Sequence, residues 1–164
     1  MFRILPETPE DVPEVEALYD TCFAPGRTAL SSYRLRDGVA PIAALCRLAR
    51  DEYDAVVGAI RYWPVRVGER GTPALLLGPV AVHPTRQGEG LAGMLIRTTL
   101  DRARELGWSR VLLVGDEPYY RRFGFARCGS VTFPPPTNPD RVLARELEPG
   151  ALADLSGAVR RWEG

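Results

Sequence analysis

The sequence contains no lysine, because all 21 of its basic residues are arginine. This absence excludes two kinds of site that need a lysine ε-amine, namely Schiff-base catalysis and a Walker-type phosphate loop. The basic residues are balanced by 21 acidic ones, so the formal net charge is zero. Such a balance provides neither the basic surface that binds nucleic acid nor the polybasic patch that binds a membrane, and we expect neither partner.

Histidine, cysteine and long apolar runs are also scarce. His83 is the only histidine, and Cys22, Cys46 and Cys128 are far apart and form no CxxC pair. This spacing predicts reduced thiols and no metal site. The longest mainly apolar run, Ala74 to Val82, is too short to span a bilayer.

The length and the N-terminus indicate one domain in a reducing compartment. A chain of 164 residues with 45% hydrophobic content can bury one core, so we expect a single domain spanning residues 1–164. Glu7, Glu10 and Asp11 stand where a signal peptide would need apolar residues, which predicts a cytoplasmic protein. The sequence leaves open whether the protein is a monomer or a homodimer.

The apolar periodicity predicts a mixed α/β chain. In chain order we predict a strand at Phe2–Leu5, a helix starting at Thr8, strands at Ile42–Ala49, Ala55–Val67 and Ala74–Val82, a helix at Leu91–Leu106, and strands at Val111–Val114 and Val142–Leu147. The three middle strands have tight connections, which predicts an antiparallel meander. The buried face of the second helix should run from Leu95 to Leu106, and the tail after Leu147 is only weakly patterned.

A glycine-rich loop precedes the helix predicted at Leu91–Leu106. Because a helix start presents unpaired N–H groups and the positive end of a dipole, this loop predicts a phosphate site. Gly88, Gly90 and Gly93 spell GxGxxG, and Asp116 ends the next strand where a dinucleotide-binding fold places its ribose-binding acid.

Two features disfavour a dinucleotide-binding oxidoreductase, which remains an alternative. The segment His83 to Gln87 separates the strand from the loop, whereas a Rossmann turn leaves its strand almost directly. Too few residues follow Asp116 to complete a doubly wound sheet.

The residues of the same loop also match a second motif. Gln87-Gly88-Glu89-Gly90-Leu91-Ala92 reads Q-x-x-G-x-A, and Tyr120 to Phe125 reads Y-x-x-x-G-F. These motifs, in this order and at this distance, resemble those of the GNAT N-acetyltransferase superfamily. Leu77-Gly78-Pro79-Val80 and Gly115-Asp116 resemble its branch of small bacterial acetyltransferases. The resemblance covers about residues 2–128.

The resemblance implies an α/β (α+β) fold of the GNAT type, with a mixed, mostly antiparallel sheet whose splayed central strands are flanked by helices. The splay would separate Ala74–Val82 from Val111–Val114 and admit the pantetheine arm of the cofactor. Gly78-Pro79 fits a strand irregularity near this opening, because proline cannot serve a regular central ladder.

The resemblance also implies acetyl-CoA as a cosubstrate and no metal. Backbone N–H groups of the loop would hold the pyrophosphate, Arg86 would add a charged contact, and main-chain groups of the strand would pair with the pantetheine amides. The predicted cofactor-binding residues are Val80, Val82, Arg86, Gln87, Gly88, Gly90, Leu91 and Ala92. The alternative is a glycine-capped helix start with no ligand.

Tyr120 is the predicted catalytic residue, because the matching tyrosine of the superfamily commonly protonates the departing thiolate. The alternative is an aromatic side chain that only fills a wall. We expect His83 to cap nearby backbone rather than act as a base. The predicted strand Ala74–Val82 has no acid, although many relatives carry a glutamate on the fourth strand. Asp116 is one substitute base, and a plain turn residue is the favoured interpretation.

The expected function is transfer of an acetyl group from acetyl-CoA to a primary amine of a small molecule or peptide. No cysteine belongs to either motif, so we expect direct attack in a ternary complex. A non-catalytic acyl-CoA-binding sensor or partner module is the alternative, favoured by the missing acid and disfavoured by Tyr120.

Acceptor specificity should lie in two polar segments, Arg27–Asp37 and Pro134–Asp140. Within the first segment, Tyr33, Arg34 and Arg36 could hold an anionic acceptor, and a solvated charged face is the alternative.

Overall fold

The computed structural model of this protein describes residues 1–23 and 31–163, apart from the side chain of residue 31. The helices are α1 (Val12–Cys22), α2 (Ser31–Arg34), α3 (Leu91–Glu105) and α4 (Glu117–Tyr120). The strands are β1 (Arg3–Pro6), β2 (Arg47–Arg50), β3 (Val56–Ile60), β4 (Tyr62–Val67), β5 (Thr72–Leu77), β6 (Ala81–Val82), β7 (Arg110–Val114), β8 (Ala126–Arg127), β9 (Val131–Thr132), β10 (Val142–Glu146) and β11 (Gly157–Arg161).

The strands form two sheets. The first has four strands in the order β1-β2-β3-β6, and the second has seven in the order β8-β10-β7-β5-β4-β11-β9. The pairs β5–β7 and β9–β11 are parallel, and the other strand pairs are antiparallel. The predicted fold class, a mixed and mostly antiparallel sheet with helices, is therefore confirmed.

Two of the predicted strands are broken in the middle. The strand predicted at Ala55–Val67 is divided at Arg61 into β3 and β4, and the strand predicted at Ala74–Val82 is divided at residues 78–80 into β5 and β6. The two breaks face each other, because the N–H of Gly78 donates to the carbonyl of Arg61 at 2.9 Å. The prediction of two continuous strands is wrong, and the predicted irregularity at Gly78-Pro79 is confirmed.

The second break opens the sheet. β5 pairs with β7 at Leu75↔Val111 and Leu76↔Leu112. After the break, β6 pairs with β3 of the first sheet, while β7 continues beside β10. The chain therefore leaves a gap between β6 and the end of β7, in agreement with the splay that the resemblance implies.

Buried polar contacts hold both breaks in place. The guanidinium of Arg61 is ion-paired with Glu7 at 2.6 Å and with Glu16, which offsets the desolvation of its charge. The same guanidinium lies 5.3 Å from the ring centre of Tyr19 on α1. The hydroxyl of Tyr19 donates to the carbonyl of Pro79 at 3.0 Å, so α1 fixes the position of the second break.

Helix α3 confirms the strongest helix prediction. Its buried face consists of Leu91, Leu95, Ile96, Thr99, Leu100 and Ala103. Leu106 is 41% exposed, so its predicted burial is wrong, because the helix ends at Glu105. A Cβ on Gly58 of β3 would lie 2.9 Å from Cδ2 of Leu91, so this glycine lets the start of α3 approach the first sheet closely.

Three other regions differ from the sequence predictions or extend them. The strand predicted at Ile42–Ala49 begins instead as a 3₁₀ turn at Ala43–Leu45, and only its end joins β2. The tail contributes β11 beside β4, which the sequence did not indicate because Val159 is its only buried residue. α2 lies inside the polar segment 27–37, of which residues 27–30 are outside the described ranges. Within those ranges, no helix is long and apolar enough to cross a membrane.

Candidate active site

A groove of about 590 Å³ lies between β6, the start of α3 and the segment from α4 to Phe123. All eight predicted cofactor-binding residues line this groove, and so does Tyr120. The fold therefore brings the two sequence motifs together at one site. The groove is also lined by five residues that were not among the predicted cofactor-binding or catalytic residues, namely Gly93, Arg97, Tyr119, Arg122 and Phe123.

The glycine-rich loop has the backbone conformation of an anion-binding turn. Gly88 and Gly90 have φ angles of +87° and +78°, a region that favours glycine. Gly90 is the N-cap of α3, and the first backbone bond of the helix runs from the N–H of Met94 to the carbonyl of Gly90. The N–H groups of the three preceding helical residues have no acceptor within the helix, so they are available to a ligand in the groove.

Arg86 lines the groove but is held by two carboxylates. Its Nη2 donates to Asp51 at 3.0 Å and to Glu52 at 2.7 Å. These bonds connect the start of the loop to the turn between β2 and β3. Because both use the same nitrogen, the other N–H groups of the guanidinium remain for a phosphate contact, which stays a prediction.

Two further arginines face the groove from either side. The guanidinium of Arg97 on α3 lies 5.0 Å from the ring centre of Phe123, and that of Arg122 lies 4.7 Å from the ring centre of Tyr119. Arg97 follows Gly93 by one helical turn, which places both on the same face of α3. Both residues are exposed, and both add positive charge to a groove that already has free N–H groups.

The edge of the split strand has main-chain groups that do not pair with β3. No described residue accepts a hydrogen bond from the N–H of Val80. The N–H of His83 donates to Val57 at 2.8 Å, and antiparallel pairs alternate, so the N–H and carbonyl of Val82 point away from β3. The thiol of Cys22 donates to that carbonyl at 3.3 Å.

Tyr120 lines the groove and belongs to an aromatic cluster. Its ring centre is 5.0 Å from that of Tyr119 and 5.9 Å from that of Phe125. Burial is the main cause that raises the pKa of Tyr120 to about 12, and the phenol of Tyr119 adds to the rise. No hydrogen bond to another described residue occupies the Tyr120 hydroxyl, so it is a protonated donor available to a ligand.

A second cavity, of about 320 Å³, adjoins the groove and shares Val80 and Tyr120 with it. Its walls are mainly apolar and aromatic, and they include Phe23, Tyr33, Leu77 and Leu113. Among the described residues that line it, the charged ones are Asp116 and Arg141. The gap between the splayed strands therefore opens into a separate space on the other side of Tyr120.

His83 and Asp116 occupy structural positions. The Nδ1 of His83 accepts a hydrogen bond from the N–H of Thr85 at 3.2 Å, so His83 caps the next turn as predicted, and neither cavity includes it. Asp116 precedes α4, and its carbonyl accepts from the N–H groups of Tyr119 and Tyr120. The carboxylate of Asp116 makes no capping bond and lines the second cavity.

The predicted acceptor arginines do not reach the second cavity. Arg36 is stacked between the rings of Tyr33 and Trp63, 3.7 Å from each ring centre, and Arg34 donates to the carbonyl of Pro135 at 2.9 Å. Tyr33 is the member of this trio that lines the cavity. The described residues also contain no group of three or more histidine, cysteine, aspartate or glutamate side chains that could hold a metal ion.

These features indicate the kind of ligand that the site suits. A sheet split between two central strands, a glycine-rich loop with free N–H groups at a helix start, and two cavities that meet at a tyrosine suit a phosphate-bearing ligand that extends towards a second cavity. The acetyltransferase (GNAT) domain family matches residues 3–128 of this sequence. The chain belongs to the GNAT acetyltransferase family.

Individual relatives agree with this assignment. The uncharacterized N-acetyltransferase YhbS of Escherichia coli K12 is 33% identical over 120 residues, which cover 73% of this chain and 70% of YhbS. The crystal structure of E. coli YhbS in complex with CoA has a TM-score of 0.81 at 30% identity and covers 99% of this chain and 89% of its own.

A second solved structure has a similar fold. A GNAT family acetyltransferase from Brucella melitensis, in complex with acetyl-CoA, has a TM-score of 0.73 at 28% identity. The match covers 99% of this chain and 96% of the Brucella chain. The predicted family, the GNAT fold and the prediction of an acetyltransferase are therefore confirmed.

Proposed function

We propose that this protein transfers the acetyl group of acetyl-CoA to a primary amine by direct attack in a ternary complex. The observation that carries the proposal is the pair of residues, Val80 and Tyr120, that the groove and the second cavity share. A thioester in the groove and an amine in the second cavity would meet at these two residues. The CoA and acetyl-CoA bound in the E. coli and Brucella relatives support acetyl-CoA as the donor here.

The groove has groups suited to each part of this donor. The free N–H groups at the start of α3 would hold the pyrophosphate, with Arg97 and Arg122 close enough to the groove to neutralise phosphate charge. The outward main-chain groups of Val80 and Val82 would pair with the pantetheine amides in the manner of an added strand. With these assignments the thioester would lie next to Tyr120, because Val80 and Tyr120 are the residues that the groove shares with the second cavity.

In the proposed reaction the neutral amine nitrogen attacks the thioester carbonyl, so that a C–N bond forms and the C–S bond breaks. The N–H of Val80 would donate to the oxyanion. The proton lost by the amine passes to water or to Asp116, the one acidic residue among the described residues of the second cavity. Tyr120 donates its proton to the thiolate, and solvent then reprotonates the phenolate.

The raised pKa of Tyr120 suits a general acid in this position. With a pKa of about 12 the phenol remains protonated throughout the neutral range. The aromatic residues that bury Tyr120 would also raise the pKa of a thiol formed beside it, because burial disfavours the thiolate. Burial therefore acts in the same direction on both partners of the proton transfer, so a rise in the pKa of the thiol offsets the rise in the pKa of Tyr120.

The positions of the cysteines support direct attack. Cys22 donates to a main-chain carbonyl and Cys46 is buried, and burial raises the pKa of both thiols. None of Cys22, Cys46 and Cys128 lines the groove or the second cavity. A covalent acetyl-cysteine intermediate therefore has no candidate nucleophile in the described site.

The second candidate function is a non-catalytic acyl-CoA-binding module. The observation that favours it is that β5 and β6 carry no acidic residue, whereas an enzyme of this family commonly has a base on that strand. The free hydroxyl of Tyr120 at the junction of the two cavities favours catalysis instead.

A thermal-shift comparison followed by a turnover assay tests the proposal. A donor present at 100 times its Kd should stabilise the protein by about 2.7 kcal/mol, a shift of several degrees in Tm. We expect this shift with acetyl-CoA and CoA, none with NAD(P)H, and release of CoA thiol when a panel of primary amines is added. A shift with CoA and no thiol release with any amine would favour the non-catalytic module, and a shift with NAD(P)H alone would contradict both.

A further inference from the structure

The second cavity is lined by an arginine, Arg141, that no side chain of the described residues neutralises. Within the described ranges the guanidinium of Arg141 makes no ion pair and no hydrogen bond, although it lines the cavity. Its neighbours are occupied, since Arg127 is ion-paired with Asp140 and Arg145 donates to a main-chain carbonyl at 2.9 Å. Asp140, the acid next to Arg141 in the chain, is therefore already paired with Arg127. The guanidinium of Arg141 lines the cavity in which we propose that the acceptor binds.

Hydrogen bonds fix the main chain of Arg141 close to the part of the cavity that contains Tyr120. The N–H of Gly115 donates to the carbonyl of Arg141 at 2.9 Å, and the N–H of Arg141 donates to the carbonyl of Asn138 at 3.0 Å. Gly115 contacts the ring of Tyr120. The charge of Arg141 lowers the pKa of Tyr120, against the larger rise that burial causes.

On the basis of the acetyl transfer proposed above, we propose that the acceptor is a small amino-carboxylic acid whose carboxylate is bound by Arg141. An arginine can bind a carboxylate through two parallel N–H donors, which fixes both position and orientation. The amine at the other end of the acceptor then lies in the part of the cavity lined by Val80 and Tyr120. Arg141 acts as a specificity-determining residue that selects acceptors carrying one negative charge.

Asp116, the second charged residue of the cavity, favours an amino-carboxylic acid as the acceptor over other anions and over simple cations. Asp116 provides one negative charge and Arg141 one positive charge, which complements a zwitterion with one ammonium and one carboxylate. A doubly charged phosphate would be repelled by Asp116, and a polyamine would leave Arg141 facing a like charge. A peptide amine whose carboxylate is far away or amidated would lack a partner for Arg141.

Matched pairs of acceptors test the proposal directly. Turnover is measured with glycine, β-alanine, 4-aminobutanoate and leucine, and with the primary amide of each, as release of CoA thiol. The amine of an amino amide is less basic than that of the acid, so intrinsic reactivity at neutral pH favours the amide. We expect at least one acid to exceed its amide by about 10-fold in kcat/KM, and Arg141→Gln to remove that preference.

Arg102→Gln is the matched control, because Arg102 is an exposed residue of α3 that lines neither cavity. This control should keep the preference for the acid. Calorimetry with the CoA-saturated protein provides a readout that needs no turnover: the acid should bind about 10-fold more weakly to Arg141→Gln than to the wild type or the control.

The two readouts separate this proposal from acetyl transfer itself. Turnover in which every amide equals or exceeds its acid would overturn the carboxylate site and leave the acetyltransferase proposal intact. If no acceptor is turned over but the acid binds and Arg141→Gln weakens that binding, the carboxylate site is supported and the acetyl-transfer proposal is contradicted. Binding of the acids that is absent, or unchanged by Arg141→Gln, would overturn the site whatever the turnover.

Discussion

The ring of Tyr120 packs directly against the backbone of Gly115. A Cβ on Gly115 would lie 2.7 Å from Cε2 of Tyr120 and 2.8 Å from Cδ1 of Leu113. Both distances are far inside van der Waals contact, so no side chain can be accommodated at residue 115 without movement of the ring. The absence of a side chain at Gly115 therefore determines where the proposed acid is held.

Gly115→Ala should displace the Tyr120 ring and lower kcat by about 10-fold, because proton transfer depends on placement within hydrogen-bond reach. The dissociation constant for CoA should change little, since the glycine-rich loop is not altered. Gly129→Ala is the control, because a Cβ there meets no atom within 4 Å. An unchanged kcat in Gly115→Ala would show that the position of this ring does not limit the rate.

Tyr120→Phe removes the hydroxyl and keeps the ring. We expect kcat to fall by about 10- to 10³-fold with little change in CoA affinity, as for the loss of a group used only in the transition state. Steady-state turnover together with calorimetric CoA binding provides the measurement. Tyr53→Phe, at a side chain that is 81% exposed, should behave as the wild type. A comparable loss in Tyr119→Phe, with Tyr120→Phe active, would transfer the role to the neighbouring phenol.

The pH dependence of turnover reports the raised pKa of Tyr120. A general acid must be protonated to act, and its activity is lost as the pH rises through its pKa, which is about 12 here. Turnover should therefore rise with pH as the acceptor amine loses its proton, and should not fall again below about pH 11. Short assays between pH 6 and about pH 10.5, with circular dichroism to confirm folding, provide the measurement. A falling limb centred near about pH 10, the ordinary value for tyrosine, would contradict the assignment.

The backbone conformation of the loop can be tested at Gly90. Gly90→Val places a β-branched residue at a φ of +78°, which strains the loop by at least about 1–2 kcal/mol and should abolish CoA binding. Gly107→Val is a matched control, because Gly107 has a φ of +91°, equally open surroundings and no place in the groove. Both variants should lose similar stability in denaturant titrations. Normal CoA affinity in Gly90→Val would show that the loop does not bind the donor.

The sequence predicted best those structural features that depend on residues close together in the chain. The face of α3 follows from apolar spacing, and the positive φ angles follow from glycines at residues 88 and 90. Of the two strand breaks, the sequence indicated the one at Gly78-Pro79 and did not indicate the one at Arg61. Arg61 lies inside an otherwise regular strand pattern, and the residues that fix the breaks are Glu7, just after β1, and residues of α1. A continuous apolar run could not predict that β5 pairs with β7 whereas β6 pairs with β3 in the other sheet.

The charged residues around the two cavities were the least predictable part of the site. Arg97, Arg122 and Arg141 come from three separate elements, and only the fold places them around Tyr120. In a chain with 21 arginines, residue type alone could not distinguish them from solvated surface charges. Arg34 and Arg36 show the converse, because the sequence suggested that they could bind the acceptor, whereas Arg36 stacks on Tyr33 and Arg34 donates to a main-chain carbonyl outside the second cavity.

Val80 and Tyr120 form a partition that belongs to both cavities. Any movement of this partition when one ligand binds changes the shape presented to the other ligand. Thermodynamic reciprocity then requires each ligand to alter the affinity of the other by the same factor. Substitutions at the partition should therefore change how strongly the two ligands cooperate, whereas substitutions in the phosphate loop should weaken donor binding and leave that cooperativity unchanged.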